Sequence, residues 1–462
     1  MCEVQDDQQN DFVEKLLKPF LKCRYSIHLR EIVHLKSAQQ RVDVLNCVSK
    51  ICTPVQMRDA LDRGRGRLVL RVWRNSARFW NLNNNKSSSF GENCSPYMNQ
   101  VVKLARAEIA GYRFARQIFC STSNPEKIPE VLYFSHDHSG KADRSYSDQI
   151  WALLSFVGKG SDYFDNVHRY FDGSFVGEMV TIRKEFGFDE PHPRHGRVEE
   201  DLSQAYAQKI LDQVVFPIHQ HFFQNNTAIS EVEKDSLCPA GNPITFQYMV
   251  DVVYHNAIAD IESHMRKRDF TRESDEIAIR ERYSLLLETI KECLDYISND
   301  CEKMSKVPSV LIHCDLQPQN LVFWNRGSER RKRNIIPEVA SVLDWEEACY
   351  ADPRFEIMLL CRKVCANSNQ ANAVWKSYSN FARTFSLEIG SIKPWMRLEG
   401  IHSILTLTLQ GMDLVGGGRS PWEKSRDLNN KIDRELIRLA SHGLPSCHNN
   451  ISDKSLLRSY TP

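Results

Sequence analysis

The chain has 462 residues, 42% of them hydrophobic and 26% charged, and a formal net charge of +1 at pH 7, which gives no reason to expect bulk binding to nucleic acid. No apolar run approaches the length of a membrane span, and the polar residues 1–9 do not resemble a secretory signal. Without such a run we expect no membrane partner. The 14 scattered cysteines are typical of reduced thiols, so we expect a cytoplasmic protein.

The first elements are short. Residues 1–24 predict a tail followed by a short helix over 12–23, and strands are predicted at 32–35 and 42–45. The turn between these strands contains no glycine. It is either a solvated hairpin turn or a segment that contacts an anion through its lysine, serine and arginine side chains.

The clearest early strand is predicted over 67–74, because aliphatic and β-branched residues alternate with arginines there. Arg71 lies in the middle of this strand. A connector rich in asparagine and serine follows over 75–99 and predicts a loop.

A helix is predicted from about 100 to 119, with Leu104, Glu108 and Tyr112 on one face at four-residue spacing. Glu108 either pairs with the basic residue of the preceding strand or forms a surface pair with a nearby arginine. Two more strands are predicted, at 128–133 and at 150–160, and the second runs into a turn that contains glycine.

The rest of the chain has mainly helical periodicity, apart from short apolar strands around one group of motifs. Helices are predicted over 198–223, 274–304, 378–385, 395–413 and 428–440. The low apolar content of 441–462 predicts a disordered tail.

The most informative motifs are LIHCDLQPQN over 311–320 and VLDWE over 342–346, each an apolar run that leads into polar residues. Phosphoryl transfer requires a carboxylate that orients the attacking hydroxyl and accepts its proton, together with oxygen ligands for Mg2+. Asp315 suits the first role, and Asn320 and Asp344 suit the second. The histidine two residues before Asp315 is suited to hold the loop by hydrogen bonds.

These motifs resemble the aminoglycoside phosphotransferase and choline kinase family of small-molecule kinases. Asp344 is followed by Trp-Glu instead of the Phe-Gly of protein kinases, and Asp352-Pro353 continues the family pattern with Glu356 in its last acidic position. The resemblance covers about 32–413 and is specific over 311–360.

The resemblance implies an α+β, bilobal, protein-kinase-like fold with a small antiparallel-sheet N-lobe and a larger, mainly helical C-lobe. The expected boundaries are 1–24 for the tail and short helix, 25–157 for the nucleotide-binding N-lobe, 158–440 for the catalytic and substrate-binding C-lobe, and 441–462 for the disordered tail.

The resemblance also implies ATP and Mg2+ as cofactors and assigns roles in the N-lobe. Arg71 would hold phosphates where the family has lysine, with Glu108 as its orienting partner, although Arg71 can also be read as a solvent-side strand residue. The adenine would be held by backbone groups of four consecutive residues, Leu154, Ser155, Phe156 and Val157.

The acceptor is implied to be a small hydroxyl compound, and a set of acidic residues favours a cationic one such as an aminoglycoside, choline or another amine. The candidates are Glu346, Glu347, Asp352, Glu356, Glu399 and Asp413. Asp352 and Glu356 have a second interpretation, as acids that brace the helix starting near Pro353. The sequence leaves open the acceptor, the choice between ATP and GTP, and the oligomeric state.

Three functions remain to be separated. The first is an active ATP-dependent phosphotransferase with a small-molecule acceptor. The second is a catalytically weak pseudokinase that binds a nucleotide or metabolite, which Arg71 and the glycine-free turn favour. A protein kinase is disfavoured, because Trp-Glu replaces Phe-Gly and 352–353 follows too soon for an activation segment.

Overall fold

The computed structural model describes most of the chain, including both strands that flank the 311–320 motif. The described residues are 12–35, 41–73, 96–121, 127–136, 150–157, 204–205, 207–225, 236–238, 243–267, 274–301, 306–316, 320–323, 338–365, 368–414, 432–433 and 436. The turn at 36–40, the connector at 74–95 and the predicted tail at 441–462 lie outside them.

The N-terminal part forms a five-stranded antiparallel sheet with the order β1-β2-β3-β5-β4. Its strands are β1 (Ile27–Leu35), β2 (Arg41–Ser49), β3 (Arg67–Trp73), β4 (Val131–Phe134) and β5 (Ile150–Ser155). β3 is the central strand, and its Arg71 is paired with Val42 on one side and Ala152 on the other.

The alternation within β3 decides which way Arg71 faces. Because successive side chains of a strand point to opposite faces, Leu68 and Leu70 lie on one face and Arg71 on the other. Both leucines are fully buried in a cluster with Leu17 and Leu21 of the first helix, which is a π-helical turn over Val13–Leu17 that continues as α1 (Lys18–Tyr25). The side chain of Arg71 therefore points to the opposite face, on which the long central helix packs.

That central helix is α3 (Pro96–Ser121), and a second short helix, α2 (Val55–Arg63), precedes β3. At Gly111, α3 comes close to the C-terminal part. A Cβ atom there would lie 3.0 Å from the Cβ of Ala348 and 3.1 Å from that of Trp345, so any larger residue would push the helix away. The missing side chain thus allows α3 to pack directly against the 345–347 turn.

The C-terminal part is mainly helical and contains two small antiparallel pairs, β6–β9 and β7–β8. The strands are β6 (Val310–Ile312), β7 (Leu321–Phe323), β8 (Val339–Val342) and β9 (Cys349–Ala351). The helices are α4 (Phe216–Asn225), preceded by a π-helical turn over Leu211–Val215, α5 (His255–Lys267), preceded by a short helix over Phe246–Tyr248 and a π-helical turn over Met249–Tyr254, α6 (Ser274–Cys301), α7 (Pro353–Val364), α8 (Ser368–Arg383) and α9 (Lys393–Leu414).

The predicted fold class is confirmed: a small antiparallel sheet and a larger, mainly helical part make up the described chain. The predicted early strands were too short, since β1 and β2 each have nine residues. α2 was not predicted. The domain boundaries stay predictions. No helix among the described residues combines the length and the hydropathy needed to cross a membrane.

Candidate active site

The loop after β6 is fixed by His313, which is fully buried. Its Nε2 lies 2.8 Å from the carbonyl oxygen of Leu343, so Nε2 carries the proton and donates. The other ring nitrogen, Nδ1, accepts the backbone N–H of Asp315 at 3.2 Å. The histidine therefore ties the backbone at Asp315 to the end of β8, which is the hydrogen-bonding role expected from the sequence.

Glu356, in the first turn of α7, binds the same loop through its backbone N–H groups. Its carboxylate, only 2% exposed, accepts the backbone N–H groups of His313 at 3.0 and 3.1 Å and of Cys314 at 3.1 Å. Cys314 has a φ of 65°, a left-handed conformation that is uncommon outside glycine and asparagine. The buried carboxylate thus compensates a strained turn directly before Asp315.

Both oxygens of the Asp315 carboxylate are held. Asn320 donates from Nδ2 to Asp315 Oδ2 at 2.6 Å and to the Asp315 carbonyl at 2.9 Å. Lys363, in the last turn of α7, donates to Asp315 Oδ1 and, at 3.3 Å, to the carbonyl of Cys314. The side chain that the sequence nominates as the base is oriented from two opposite sides.

Asp344 lies next to this loop because β7 and β8 are paired. The carbonyl of Asn320 accepts the N–H of Leu343 at 2.8 Å, which places Asn320 and Asp344 at neighbouring strand ends. Asp344 has a φ of 60°, and its N–H donates to the hydroxyl of Tyr112 on α3 at 3.0 Å. Burial, together with the nearby Glu108 carboxylate, raises the pKa of Tyr112 well above its usual value, so the phenol stays protonated.

The predicted pair of Arg71 and Glu108 is present and buried. Arg71 Nη2 lies 3.2 Å from Glu108 Oε1, 2.8 Å from Asp344 Oδ1 and 3.5 Å from Glu346 Oε2. Burial opposes the charged guanidinium, but Glu108 and the two other carboxylates outweigh it and raise the pKa of Arg71. Arg71 is 8% exposed and Glu108 is 0% exposed. The alternatives of a solvent-side Arg71 and a surface-paired Glu108 are therefore wrong.

Carboxylate oxygens of Glu108, Asp344 and Glu346 lie within 4.8 Å of one another. Oxygen donors of this kind suit Mg2+, and the described contacts of the Asn320 side chain use only its nitrogen. The residues present therefore fit a hard divalent cation. Sequence analysis gave Glu346 no metal role, yet it belongs to this cluster, and Arg71 contacts the same carboxylates.

The proposed adenine segment begins inside the sheet. Leu154 and Ser155 are the last residues of β5, and the Ser155 N–H already donates to the carbonyl of Glu130 at 2.8 Å. Phe156 is buried beneath the guanidinium of Arg67, whose carbon lies 4.4 Å from the ring centre. Of the four predicted residues, Phe156 and Val157 lie beyond the end of β5.

Three of the acidic residues considered for acceptor binding, Asp352, Glu356 and Glu399, have partners inside the protein. Asp352 caps α7 and pairs with Arg354 at 2.6 Å, and Glu399 pairs with Arg362. With the contacts of Glu356, this supports the bracing interpretation for Asp352 and Glu356. The side chain of Asp413 lies outside the described residues, as do residues 36–40.

Sequence reasoning missed Lys363, which is 48 residues from Asp315. A signal for it exists within α7, because Glu356 and Lys363 are seven residues apart and so share one face of the helix. Once Glu356 is known to contact the loop before Asp315, Lys363 is expected on the same side, two turns further on.

Comparison with known families adds to this geometry. The model of the phosphotransferase enzyme family matches residues 254–386, which include Asp315, Asn320, Asp344 and all of α7. The predicted resemblance is confirmed. With it, the enzyme class implied by the sequence, a small-molecule phosphotransferase, is confirmed as well.

Solved structures similar to the chain include a spectinomycin phosphotransferase in complex with ADP and spectinomycin, at 11% identity and a TM-score of 0.43, covering 89% of this chain and 92% of that one. A macrolide 2′-phosphotransferase from Brachybacterium faecium has 12% identity and a TM-score of 0.42, covering 91% of this chain and 98% of that one. These likenesses are too distant to indicate a substrate. No curated protein matches the chain as a sequence.

Proposed function

We propose that the protein transfers the γ-phosphate of ATP to a hydroxyl group of a small molecule, with Asp315 as the base. The observation that carries this proposal is the loop around Asp315, whose carboxylate is held by Asn320 and Lys363 beside Asp344. A fixed carboxylate next to oxygen donors is what phosphoryl transfer requires, since catalysis of this reaction is mostly positioning and charge neutralisation.

In the proposed reaction, the acceptor oxygen forms a bond to the γ-phosphorus while the bond from that phosphorus to the β–γ bridging oxygen breaks. The proton of the acceptor hydroxyl passes to the carboxylate of Asp315, and ADP leaves. His313 and Glu356 keep the Asp315 backbone in place throughout, because they bind the loop through its N–H groups.

Asn320 and Asp344 are the proposed Mg2+ ligands. When bound, the ion supplies positive charge against the phosphate oxygens. The amide nitrogen of Asn320 donates to Asp315, so the amide oxygen of Asn320 points away from the base. This oxygen is the proposed ligand of the ion. Asp344 is held at its N–H by Tyr112, and this contact fixes the carboxylate at the junction of the two lobes.

Arg71 is proposed to bind phosphate oxygens, with Glu108 orienting it. Glu108 is itself fixed by the indole N–H of Trp73, which donates to Oε2 at 2.6 Å. Backbone groups at Phe156 and Val157 are proposed to pair with the base of the nucleotide. The location in the cytoplasm remains a prediction, in keeping with the free thiols of the described cysteines.

The pseudokinase is a second candidate, and one observation favours it. Arg71 makes ion pairs with both Asp344 and Glu346, so a guanidinium already neutralises carboxylates that a metal would need. A nucleotide that binds without Mg2+ and is not turned over would fit this arrangement.

A thermal-shift titration with ATP and GTP, with and without Mg2+, tests the proposal against this alternative. It is run in the presence and absence of a library of small amines and sugars. We expect a Mg2+-dependent rise in the melting temperature with ATP that one acceptor increases further, followed by transfer to that acceptor. A shift without Mg2+ dependence and without turnover would favour the pseudokinase, and no shift with any nucleotide would contradict both.

A further inference from the structure

Lys363 is a charged side chain at the reactive loop to which the sequence motifs assign no role. It lies in the last turn of α7 and donates to both Asp315 Oδ1 and the carbonyl of Cys314. Its side chain is 26% exposed and that of Asp315 is 20% exposed, so the pair is partly shielded from water. This is unlike a surface ion pair, in which both groups are solvated and the geometry is loosely held.

The helix that carries Lys363 is anchored to the same loop at a second point. Glu356, two turns earlier on the same face, accepts N–H groups of His313 and Cys314. One rigid element therefore binds the backbone before Asp315 through a carboxylate and the Asp315 side chain through an ammonium group. A displacement of α7 would move both contacts together.

Two other titratable side chains of α7 and α9 bear on Lys363, Arg362 and His402. Arg362 pairs with Glu399 and donates to the hydroxyl of Ser403 at 2.7 Å. Burial, reinforced by the charges of Lys363 and Arg362, lowers the pKa of His402 to about 3, so this imidazole carries no charge at neutral pH. Neither of these groups competes for Asp315, with which Lys363 forms its described ion pair.

We propose that Lys363 is a positioning residue for the base: it holds Asp315 Oδ1 while Asn320 holds Oδ2. Because each carboxylate oxygen has its own contact, the carboxylate cannot rotate. Its remaining lone pairs therefore point in one fixed direction, towards the position proposed for the acceptor hydroxyl. Small errors in the placement of a reacting group can lower a rate by about 100-fold. This inference rests on the proposed function.

The test is a set of variants whose turnover and ligand affinities are measured with ATP and the acceptor found by thermal shift. We expect Lys363→Met to lower kcat by about 10-fold to 100-fold, with the Kd for ATP and the KM for the acceptor within about twofold of the wild type. Lys363→Arg is expected to recover part of the loss, because a guanidinium can also donate to Asp315 Oδ1 and to the carbonyl oxygen of Cys314. Lys376→Met, at an exposed lysine of α8, is the matched control and should leave kcat unchanged.

Coupling to Asp315 separates positioning from a structural role. If Lys363 acts through the carboxylate, Lys363→Met should lower kcat by less than about twofold when Asp315→Asn is already present. An undiminished loss in that background, or full kcat in Lys363→Met, overturns the inference while the proposed function stands. A wild-type protein that transfers phosphate to no acceptor and does not turn over ATP overturns both.

Discussion

The two sides of the candidate site are held together in different ways. On the C-lobe side, Asp315 is bound by His313 and Asn320, which lie within five residues of it in the chain. On the N-lobe side, Arg71 is bound by Glu108 and Asp344, which are 37 and 273 residues away. The first arrangement is built on one short motif and is braced by Glu356 and Lys363 of α7, whereas the second exists only when both lobes are folded and packed.

This difference predicts that the Asp315 side of the site governs the rate of the reaction and that the Arg71 side governs the packing of the two lobes. Changes at the Asp315 loop should alter the rate with little effect on the joining of the lobes. Changes at Arg71 should weaken the joining of the lobes, because its guanidinium neutralises carboxylates from α3 and from the turn after β8. The predictions below test whether the two sides are separable in this way.

The largest effect is expected for Asp315→Asn, which removes the proton acceptor and keeps the shape of the side chain. Turnover should fall by at least about 100-fold, the usual scale for a positioned base, while affinity for the nucleotide stays nearly intact. Steady-state kinetics and nucleotide titration measure the two quantities. Asp59→Asn, at an exposed position of α2, is the control, and equal turnover in both variants would remove Asp315 from the role of base.

Arg71→Met is expected to lower the free energy of unfolding by about 3–5 kcal/mol, because the fully buried Glu108 loses its cationic partner. Arg71→Lys should lose less, since it keeps the charge. Urea denaturation measures the change. The matched control is Arg63→Met, which breaks the more exposed pair with Glu130 and should cost about 0–1 kcal/mol. Similar losses in the two methionine variants would show that the lobes are not joined through Arg71.

Glu356→Gln should lower the free energy of unfolding by about 1–3 kcal/mol, because one of the two acceptor oxygens facing the loop N–H groups becomes a donor. Turnover should fall as well, since the loop before Asp315 is no longer held in its left-handed conformation. Glu338→Gln, which breaks a partly exposed pair with Lys209, is the control. A Glu356→Gln protein with wild-type stability and rate would contradict the bracing role.

The smallest expected effect concerns pH and His219. Burial lowers the pKa of His219, so the unfolded chain takes up a proton near pH 6.5 that the folded protein does not. Stability should therefore fall as the pH falls below about 6.5, by at most about 1.4 kcal/mol per pH unit from this residue. His219→Gln should flatten this dependence in urea titrations between about pH 5 and 6.5. An unchanged slope in His219→Gln would show that the residue titrates normally.

What could be read from the sequence follows the same division. Asp315, Asn320 and Asp344 were predictable as neighbours because their spacing and the apolar runs around them define two paired strands and a loop. The pairing of Arg71 with Glu108 was implied by the resemblance and by the order of strand and helix, whereas the exposed alternatives for both residues stayed open until the structure showed them buried.

Other features required the folded chain. Tyr112 contacts Asp344 from an element that no local pattern connects with it, and the spacing of Lys363 from Glu356 is informative only once Glu356 is known to lie against the loop. The short helix α2 was missed because it buries only three residues, Met57, Ala60 and Leu61, too few for a periodic signal. The acids proposed for a cationic acceptor could not be separated from internal ion pairs, because the arginines that neutralise Asp352 and Glu399 also suit exposed positions.

The most direct test of the central claim is calorimetric titration of ATP into the wild type and into Asp344→Asn, each with and without Mg2+. Asparagine keeps the left-handed backbone at this position available and removes only the charge. We expect ATP to bind the wild type more tightly with Mg2+ than without it, and this difference to disappear in Asp344→Asn. Equal ATP affinity in the wild type with and without Mg2+ would contradict the account of a metal-assisted phosphotransferase at this site.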